Sequence, residues 1–165
     1  MNLVKLEKVT LNIGSGEGGE RLDKARALLE KLSGRKAVLT LARTRNPTFH
    51  LRKGQPIGVK VTLRGIQAKE FLKRALESVD NVLNQKKFFN GGFAFGVREY
   101  IDFPGVKYDP KIGMFGFDVC VTLTKPGARV ARRRIAPKRL PRKQRVSQQE
   151  ALEFAKSFGV KIEEE

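Results

Sequence analysis

Lysine and arginine side chains are concentrated in two stretches of the chain that contain no aspartate or glutamate. Residues 31–69 hold ten of the 34 basic residues, and residues 119–149 hold another ten. Surfaces that face only solvent usually mix both signs of charge, because like charges repel one another in the compact state. The uncompensated charge therefore indicates a polyanionic partner, of which the phosphate backbone of a nucleic acid is the most common.

A glycine motif near the N-terminus suggests a different chemistry. Gly14-x-Gly16-x-x-Gly19 lies between a predicted strand and a predicted helix, as in dinucleotide-binding folds. However, Glu17 and Glu20 would place carboxylates beside the pyrophosphate, and no acidic residue stands between Glu30 and Glu70 to hold a ribose. We interpret the motif as a tight turn whose acids favour the helix N-terminus. A dinucleotide-dependent enzyme is the alternative.

Few side chains are suited to catalysis or metal binding. The single histidine, His50, lies in a basic loop, where a contact role is favoured over that of a general base. The single cysteine, Cys120, alternates with the apolar residues of a predicted strand and is interpreted as an inert packing residue. Asp102, Asp109 and Asp118 do not have the spacing of a calcium loop. We therefore expect no enzyme activity, no metal and no cofactor.

The composition indicates one globular domain. The chain has 165 residues, of which 40% are hydrophobic and 31% are charged. No apolar run approaches the roughly 20 residues that span a bilayer, and residues 1–8 lack the apolar centre of a signal peptide. Pro137 and Pro141 interrupt the most basic segment, which is unlike a helix lying on a membrane. We expect a cytoplasmic protein without a membrane partner.

Hydrophobic periodicity predicts the order of strands and helices. Val9, Leu11 and Ile13 alternate with polar residues, which predicts a half-buried strand. The further predictions are a helix over 20–33, strands over 36–43 and 57–64 around a basic loop, a helix over 67–84, a turn at 90–92, a strand over 93–100, a loop over 102–114, a strand over 115–124, and a last helix from Ser147.

This order predicts an α+β domain. Short turns between consecutive strands favour a mostly antiparallel sheet, with the two long helices packed on one face. The other face would stay open, and the 57–64 strand would present Lys60, Thr62 and Arg64 there, which suit RNA better than a core. Simple exposure to solvent is the alternative.

A basic extension follows the last long strand. Nine of the seventeen residues from Arg129 to Arg145 are Lys or Arg, and two prolines oppose a continuous helix. Such a segment can follow RNA and become ordered on binding; a disordered solubilising tail is the alternative. Ser147 and Glu150 then form a capping box, which predicts a return to a packed surface. We divide the chain into an α+β RNA-binding domain (1–124), a basic extension (125–146), and a C-terminal helix with an acidic end (147–165) packed with the same domain.

Four segments resemble one known family: LEKVTLNIGSGEGGERLDKA (6–25), PIGVKVTLRG (56–65), GGFAFGVREYIDFPGVKYDPKIGMFGFDVCVTL (91–123) and PGARVARRR (126–134). They are similar to the large-subunit ribosomal protein five family, whose members bind 5S ribosomal RNA (rRNA). The resemblance runs from about residue 3 to the C-terminus, and the basic tail is similar to the archaeal and eukaryotic branch. It implies an α+β structural protein that attaches 5S rRNA in the central protuberance, contacts the tRNA in the P site, and bridges to a protein of the small-subunit head.

The resemblance also implies individual RNA contacts. The Asn of the family's LN-[IM]-G motif and the Thr of VTLRG contact 5S rRNA, and they correspond to Asn12 and Thr62. Their short polar side chains can bond 2′-hydroxyls in an A-form minor groove. Arg35 stands where the family often has Gln, which would exchange an amide contact for a phosphate contact. The predicted 5S rRNA contacts are Asn12, Arg35, Lys60, Thr62 and Arg64. The predicted contacts of the basic extension with other rRNA are Arg129, Arg132, Arg133, Arg134, Lys138, Arg139, Arg142, Lys143 and Arg145.

The tRNA-facing loop of the family corresponds to residues 43–55. Pro47 departs from the family pattern and is expected to change the shape of the tip. The predicted tRNA contacts are Arg43, Arg45, Phe49, His50, Arg52 and Lys53. The bridge to the small subunit would fall in the 102–114 loop, at Lys107, Tyr108, Asp109 and Lys111. A free-standing RNA chaperone or regulator that uses the same surfaces is the alternative.

Overall fold

A computed structural model describes residues 3–16 and 18–163 of the chain. The strands are β1 (Lys5–Gly14), β2 (Val38–Leu41), β3 (Pro56–Leu63), β4 (Val82–Asn84), β5 (Phe88–Phe89), β6 (Gly92–Val97), β7 (Phe117–Thr124) and β8 (Lys161–Glu163). The helices are α1 (Glu20–Ser33), α2 (Gly65–Glu77) and α3 (Gln148–Lys156). Short 3₁₀ turns cover Gln85–Lys87, Tyr100–Asp102, Ala128–Ala131 and Arg142–Gln144.

Six of the strands form one sheet in the order β2-β3-β1-β7-β6-β5, and every neighbouring pair is antiparallel. β4 and β8 form a separate parallel pair. The predicted α+β fold with a mostly antiparallel sheet is therefore confirmed. Both neighbours of β1 are antiparallel to it, whereas a dinucleotide-binding fold would place parallel strands there.

The hydrophobic core lies between the sheet and its helices. α1 packs against β3, α2 packs against β1, and the shorter α3 packs against β5 and β6. The alternation in β1 buries Val9, Leu11 and Ile13 on the helix side, as the sequence pattern predicts. At the centre, the ring of Phe71 stacks on Phe103 with their centroids 4.9 Å apart. Close packing of this kind holds the sheet in one shape beneath its open face.

The glycine motif forms a turn between β1 and α1. The N–H groups of Ser15 and Gly16 donate to the carbonyl oxygen of Ile57 at 3.0 and 3.1 Å. Glu20 and Asp23 lie in the first turn of α1, where carboxylates favour the positive end of the helix dipole. Glu17 lies outside the described residues. Backbone donors that a pyrophosphate would need are thus already bonded to β3.

Two predicted elements end three or more residues earlier in the structure. The helix expected over 67–84 ends at Glu77, because Asp80 and Asn81 adopt positive φ angles of 54° and 56°, which the short side chains of these residue types tolerate. The strand expected over 93–100 ends at Val97, and Tyr100 lies in a 3₁₀ turn. The last helix ends at Lys156, and the sequence did not predict β8 after it. In the described ranges, no helix has the length and apolar character needed to cross a membrane.

Candidate RNA-binding surface

The face of the sheet opposite α1 and α2 is polar and accessible. In β1, β3 and β7 the side chains that alternate with the core point to this face, and they lie in rows across the strands. Lys60 and Asp118 flank Asn12 in one row, and Thr62 flanks Thr10 in the next. Three predicted 5S rRNA contacts, Asn12, Lys60 and Thr62, therefore lie together on one surface. Such a row of short hydroxyl and amide groups with an ammonium group offers both donors and acceptors to RNA.

The other two predicted 5S rRNA contacts lie at one end of the sheet. Arg64 does not belong to the strand, as the periodicity had suggested; it follows β3 and forms the N-cap of α2. Arg35 follows the left-handed Gly34 that ends α1, and its Nε donates to Oε1 of Gln67 in α2 at 2.7 Å. Both residues thus lie near the point where β3 passes into α2.

Glu7 joins this end of the sheet to the basic extension, a role that its position in the sequence does not predict. The register of β1 against β7 shifts between Leu6 and Lys8, so Glu7 is the extra residue of a β-bulge. Both guanidinium Nη atoms of Arg132 contact the Glu7 carboxylate, one of them at 2.9 Å, and Nη1 of Arg64 lies 3.6 Å from the same group. The Arg132 hydrogen bond holds the pKa of Glu7 below its ordinary range against the opposing effect of burial. The only signal in the sequence is that Glu7 is the single acid among residues 1–16.

The basic extension is a loop with internal hydrogen bonds. The Lys138 N–H donates to the Val130 carbonyl at 3.1 Å, and Arg133 Nε donates to the Ala136 carbonyl at 2.8 Å. Gln144 bonds to the carbonyl of Pro126 and closes the base of the loop. All nine basic residues predicted to contact rRNA are exposed: Arg129, Arg132, Arg133, Arg134, Lys138, Arg139, Arg142, Lys143 and Arg145. The extension therefore presents its charge on a folded loop.

A buried ion pair fixes the base of this loop. Lys125 is only 4% exposed, and its Nζ lies 2.6 Å from Oε1 of Glu150. The other carboxylate oxygen of Glu150 accepts the N–H of Ser147 at 2.9 Å, which completes the predicted capping box of α3. The hydrogen bonds from Lys125 and from the Ser147 backbone lower the pKa of Glu150 from its ordinary value of 4.5. One carboxylate thus connects the start of the basic loop with the helix that follows it. The sequence predicted the cap but not the partner, because Lys125 was counted only as part of the positive stretch.

We expect the stability of the protein to depend on the ionisation of Glu150 in acid. Because folding lowers its pKa, the ion pair stabilises the folded state fully above the ordinary pKa of 4.5 and loses this effect as the pH falls through the folded value. Urea unfolding at pH 7 and at pH 3 should show a larger loss of stability for the wild type than for Glu150→Gln. Equal losses in the two proteins would contradict a role for this carboxylate.

The predicted tRNA-facing loop is a β-hairpin extension. Beyond β2 and β3 the two arms continue. The Ala42 N–H donates to the Gln55 carbonyl at 2.8 Å, the Gly54 N–H donates to the Ala42 carbonyl at 2.9 Å, and a bridge joins Asn46 and Leu51. A turn closes the hairpin with the N–H of His50 donating to the Pro47 carbonyl at 3.1 Å. Pro47 therefore occupies the first position of the tip turn, whereas the sequence had predicted a polar, basic loop without this hairpin.

An aromatic ring stands at the tip of this hairpin among cations. Phe49 is 70% exposed, and His50 beside it has a positive φ of 53°. All the basic side chains predicted to contact tRNA are exposed in the hairpin: Arg43, Arg45, Arg52 and Lys53. An exposed ring flanked by cations can stack on a base or ribose while the cations contact phosphates.

The 102–114 loop is organised by one of the residues predicted for the small-subunit bridge. The Asp109 carboxylate accepts the N–H of Lys111 at 3.1 Å and pairs with Nζ of Lys31 at 3.4 Å. The N–H of Asp109 donates to the buried Tyr100 hydroxyl at 2.9 Å. Asp109 is therefore engaged within the protein, whereas Lys107, Tyr108 and Lys111 are exposed.

The sheet separates these surfaces. The hairpin and the 102–114 loop leave the sheet at the end where Gly14 faces Gly58 and Val97 faces Phe117. The basic loop leaves at the opposite end, after Thr124, which faces Lys5. The structure thus offers an open face with a different basic or polar element at each end.

The described residues of these surfaces offer neither a metal site nor a reactive thiol. Within residues 3–16 and 18–163, no group of three or more His, Cys, Asp or Glu side chains could hold a metal ion. Cys120 lies half-buried on the open face, opposite Thr10 and Ala94. Burial and then the charge of Asp118 raise the pKa of its thiol, which keeps it protonated and unreactive.

Comparison with known proteins places the chain in a family. Residues 1–52 match the family described as "Ribosomal protein L5", and residues 56–160 match the C-terminus of the same ribosomal protein family. Proteins named "Large ribosomal subunit protein uL5" are similar along almost their whole length. The protein of Sulfurisphaera tokodaii is 50% identical over 167 residues, which cover 99% of this chain and 94% of that protein. The protein of Methanosphaera stadtmanae is 49% identical over 160 residues, which cover 96% and 95%. With both halves matched, the chain belongs to the ribosomal protein L5 family.

Proposed function

We propose that the chain is a structural protein of the large ribosomal subunit that binds 5S rRNA and attaches it in the central protuberance. The proposal includes a contact of the hairpin with P-site tRNA and a bridge from the 102–114 loop to a protein of the small-subunit head. The relatives are named as proteins of the large ribosomal subunit. Membership in a family of ribosomal proteins confirms the expectation that the chain is not an enzyme, and the proposed role places it in the cytoplasm with the ribosome.

The observation that carries the proposal is the open face of the sheet. Asn12, Lys60 and Thr62 project from adjacent strands on the side that α1 and α2 leave free. The strands fix the spacing of these groups, so little conformational entropy is lost when RNA binds. Hydroxyl and amide groups on such a rigid surface favour recognition of 2′-hydroxyls and base edges over a purely electrostatic attraction.

The exposed basic loop supports a contact with other rRNA. Its charge extends away from the open face at the end of the sheet where Lys125 is anchored. Because the loop has internal hydrogen bonds, we propose that it binds phosphates as a largely preformed element and not as a free tail.

Replacing Thr62 with valine should weaken 5S rRNA binding by about 1–3 kcal/mol, because the variant keeps the side-chain shape and loses only the hydroxyl group. Filter binding measures the change. Thr122→Val is the matched control, since Thr122 lies on the same face in β7, opposite Lys8, and is not among the predicted contacts. If both variants bind with wild-type affinity, the Thr62 hydroxyl makes no contact with 5S rRNA.

A competition titration tests the proposed function as a whole. The purified protein is bound to 5S rRNA at several salt concentrations, with tRNA and a random RNA duplex as competitors. Attraction by charge alone falls steeply with salt. We expect 5S rRNA to stay bound at about 0.3 M salt while the competitors dissociate, since hydroxyl and amide contacts do not depend on counterion release. Parallel loss of all three RNAs would contradict specific recognition.

A free-standing RNA chaperone would use the same surfaces but would not remain on the ribosome. Sedimentation of large subunits through a high-salt wash distinguishes the two roles. The proposal predicts that the protein sediments with the subunit in a fixed ratio to 5S rRNA, whereas a chaperone would stay in the supernatant.

A further inference from the structure

Glu7 is an unusual residue for a surface that binds RNA. Its carboxylate lies at the edge of the open face, between the end of β3 and the basic loop. A carboxylate repels phosphate, so charge alone would favour its absence from this position. Its position therefore needs another explanation.

The geometry shows how this negative charge is covered. The Glu7 side chain is only 9% exposed, whereas the side chains of Arg64 and Arg132 are 60% and 61% exposed. Both arginines direct an Nη1 atom to the same carboxylate oxygen, Oε1, from two segments that are 68 residues apart in the chain. The carboxylate is therefore mostly covered, and the two guanidinium groups that contact it are largely exposed.

Without the Glu7 carboxylate between them, the two neighbouring guanidinium groups would repel each other. The basic loop would also lose the contact of Arg132 with the sheet. The bulge in β1 places Glu7 where it can contact both, since an ordinary strand position would direct its side chain to one face of the sheet. The cluster retains one net positive charge, and each guanidinium group has more N–H donors than its contact with Glu7 uses. This arrangement suits a phosphate group, which accepts paired guanidinium hydrogen bonds.

We propose that Glu7 is a positioning residue that holds Arg64 and Arg132 together as a preformed two-arginine clamp for RNA phosphate. The inference rests on the proposed function, since it concerns the same RNA-binding surface. Glu7 would contribute pre-organisation, because the two arginine side chains and the loop are already ordered before RNA binds. Less conformational entropy is then lost on binding.

For Glu7→Gln, the clamp predicts weaker RNA binding, whereas the change in net charge alone predicts tighter binding. Glu7→Gln removes one negative charge, which by itself should tighten RNA binding about 2- to 5-fold. If Glu7 positions the clamp, the same substitution should weaken binding about 5- to 10-fold, because both arginines lose their shared anchor. The probe is 5S rRNA in filter binding. Asp118→Asn is the matched control, since Asp118 is an exposed carboxylate on the same face and no ion pair among the described residues involves it.

The salt dependence of binding separates positioning from a merely structural effect. Loss of two phosphate contacts should reduce the slope of log affinity against log salt by about 1 to 2. A variant that only unfolds more readily would lower the active fraction and keep the wild-type slope. Thermal unfolding without RNA shows whether the variant is fully folded at the temperature of the binding experiment.

Each result of this experiment decides between the alternatives. Weaker binding and a smaller slope for Glu7→Gln, with unchanged or tighter binding for Asp118→Asn, would support the clamp. Tighter binding or an unchanged slope for Glu7→Gln would overturn it. Arg64→Ala and Arg132→Ala test the surface itself: if they weaken 5S rRNA binding while Glu7→Gln tightens it, the proposed function stands and only the role of Glu7 fails. If neither arginine variant changes binding, this end of the sheet does not bind 5S rRNA and the clamp is excluded with it.

Discussion

Replacing Glu150 with glutamine should lower the free energy of unfolding at pH 7 by about 2–4 kcal/mol, because it leaves the buried ammonium group of Lys125 without its counter-charge. Lys125 is 4% exposed, and its Nζ also donates to the carbonyl oxygen of Lys143 at 3.4 Å. The amide of glutamine can still accept a hydrogen bond, so the effect isolates the charge. Urea unfolding followed by circular dichroism measures the change.

Two further proteins make this prediction specific. Glu153→Gln alters an exposed carboxylate on the same helix and should change stability by less than about 0.5 kcal/mol. Lys125→Met combined with Glu150→Gln should recover much of the loss, because no buried charge then remains unpaired. A double variant as unstable as Glu150→Gln alone would show that the ion pair is not the cause.

The same substitution should also affect the basic loop. Gln144 and Lys125 close its base, so loss of the Lys125–Glu150 pair should expose the loop to trypsin, which cleaves after Lys and Arg. We expect faster cleavage between residues 129 and 145 in Glu150→Gln than in Glu153→Gln. Glu150→Gln would keep every basic residue of the loop, but the loop would no longer hold these residues in one arrangement. Measuring both 5S rRNA binding and trypsin cleavage in the two variants therefore tests whether binding depends on an ordered loop.

The sheet and its two long helices could be predicted from local patterns. Alternation along β1, β3 and β7 identifies the buried side chains, and the helical stripe of α2 identifies its core face. These patterns involve residues that are only a few positions apart in the chain, so they can be recognised in the sequence alone. The end of α2 was missed for the same reason: Val79 and Leu83 continue the apolar stripe, but the left-handed Asp80 and Asn81 prevent the helix from continuing along it.

The electrostatic arrangement of the surface could not be predicted in the same way. Glu7 meets Arg64 and Arg132, and Lys125 meets Glu150, only because the sheet brings distant segments together. A count of charges along the chain correctly places the excess of positive charge, yet it cannot tell which cations are held by internal carboxylates. Thus Lys125, part of the second basic stretch, is buried and structural, while the nine basic residues from Arg129 to Arg145 remain exposed.

Removing the aromatic and basic groups of the hairpin should separate tRNA binding from 5S rRNA binding. In the triple variant Phe49→Ala, Arg52→Ala and Lys53→Ala, we expect P-site tRNA to dissociate about 10- to 100-fold faster from ribosomes that carry the variant. Loss of stacking and of two phosphate contacts explains this magnitude. Affinity for 5S rRNA should change little, because the hairpin extends beyond the end of β2 and β3, away from Asn12 and Thr62.

Thr62→Val supplies the reciprocal control for the hairpin variant. It should weaken 5S rRNA binding while ribosomes that contain it hold P-site tRNA normally, so the two variants should show opposite patterns in the same two assays. In the wild type, Arg52 and Lys53 attract 5S rRNA through charge even without touching it, since their fields extend about 8–10 Å at physiological salt. Their removal in the triple variant should therefore lower 5S rRNA affinity slightly at low salt. Repeating the measurement at higher salt removes this contribution. If 5S rRNA binding of the triple variant remains impaired there, the hairpin contacts 5S rRNA directly, and the division of the surface between the two RNAs is wrong.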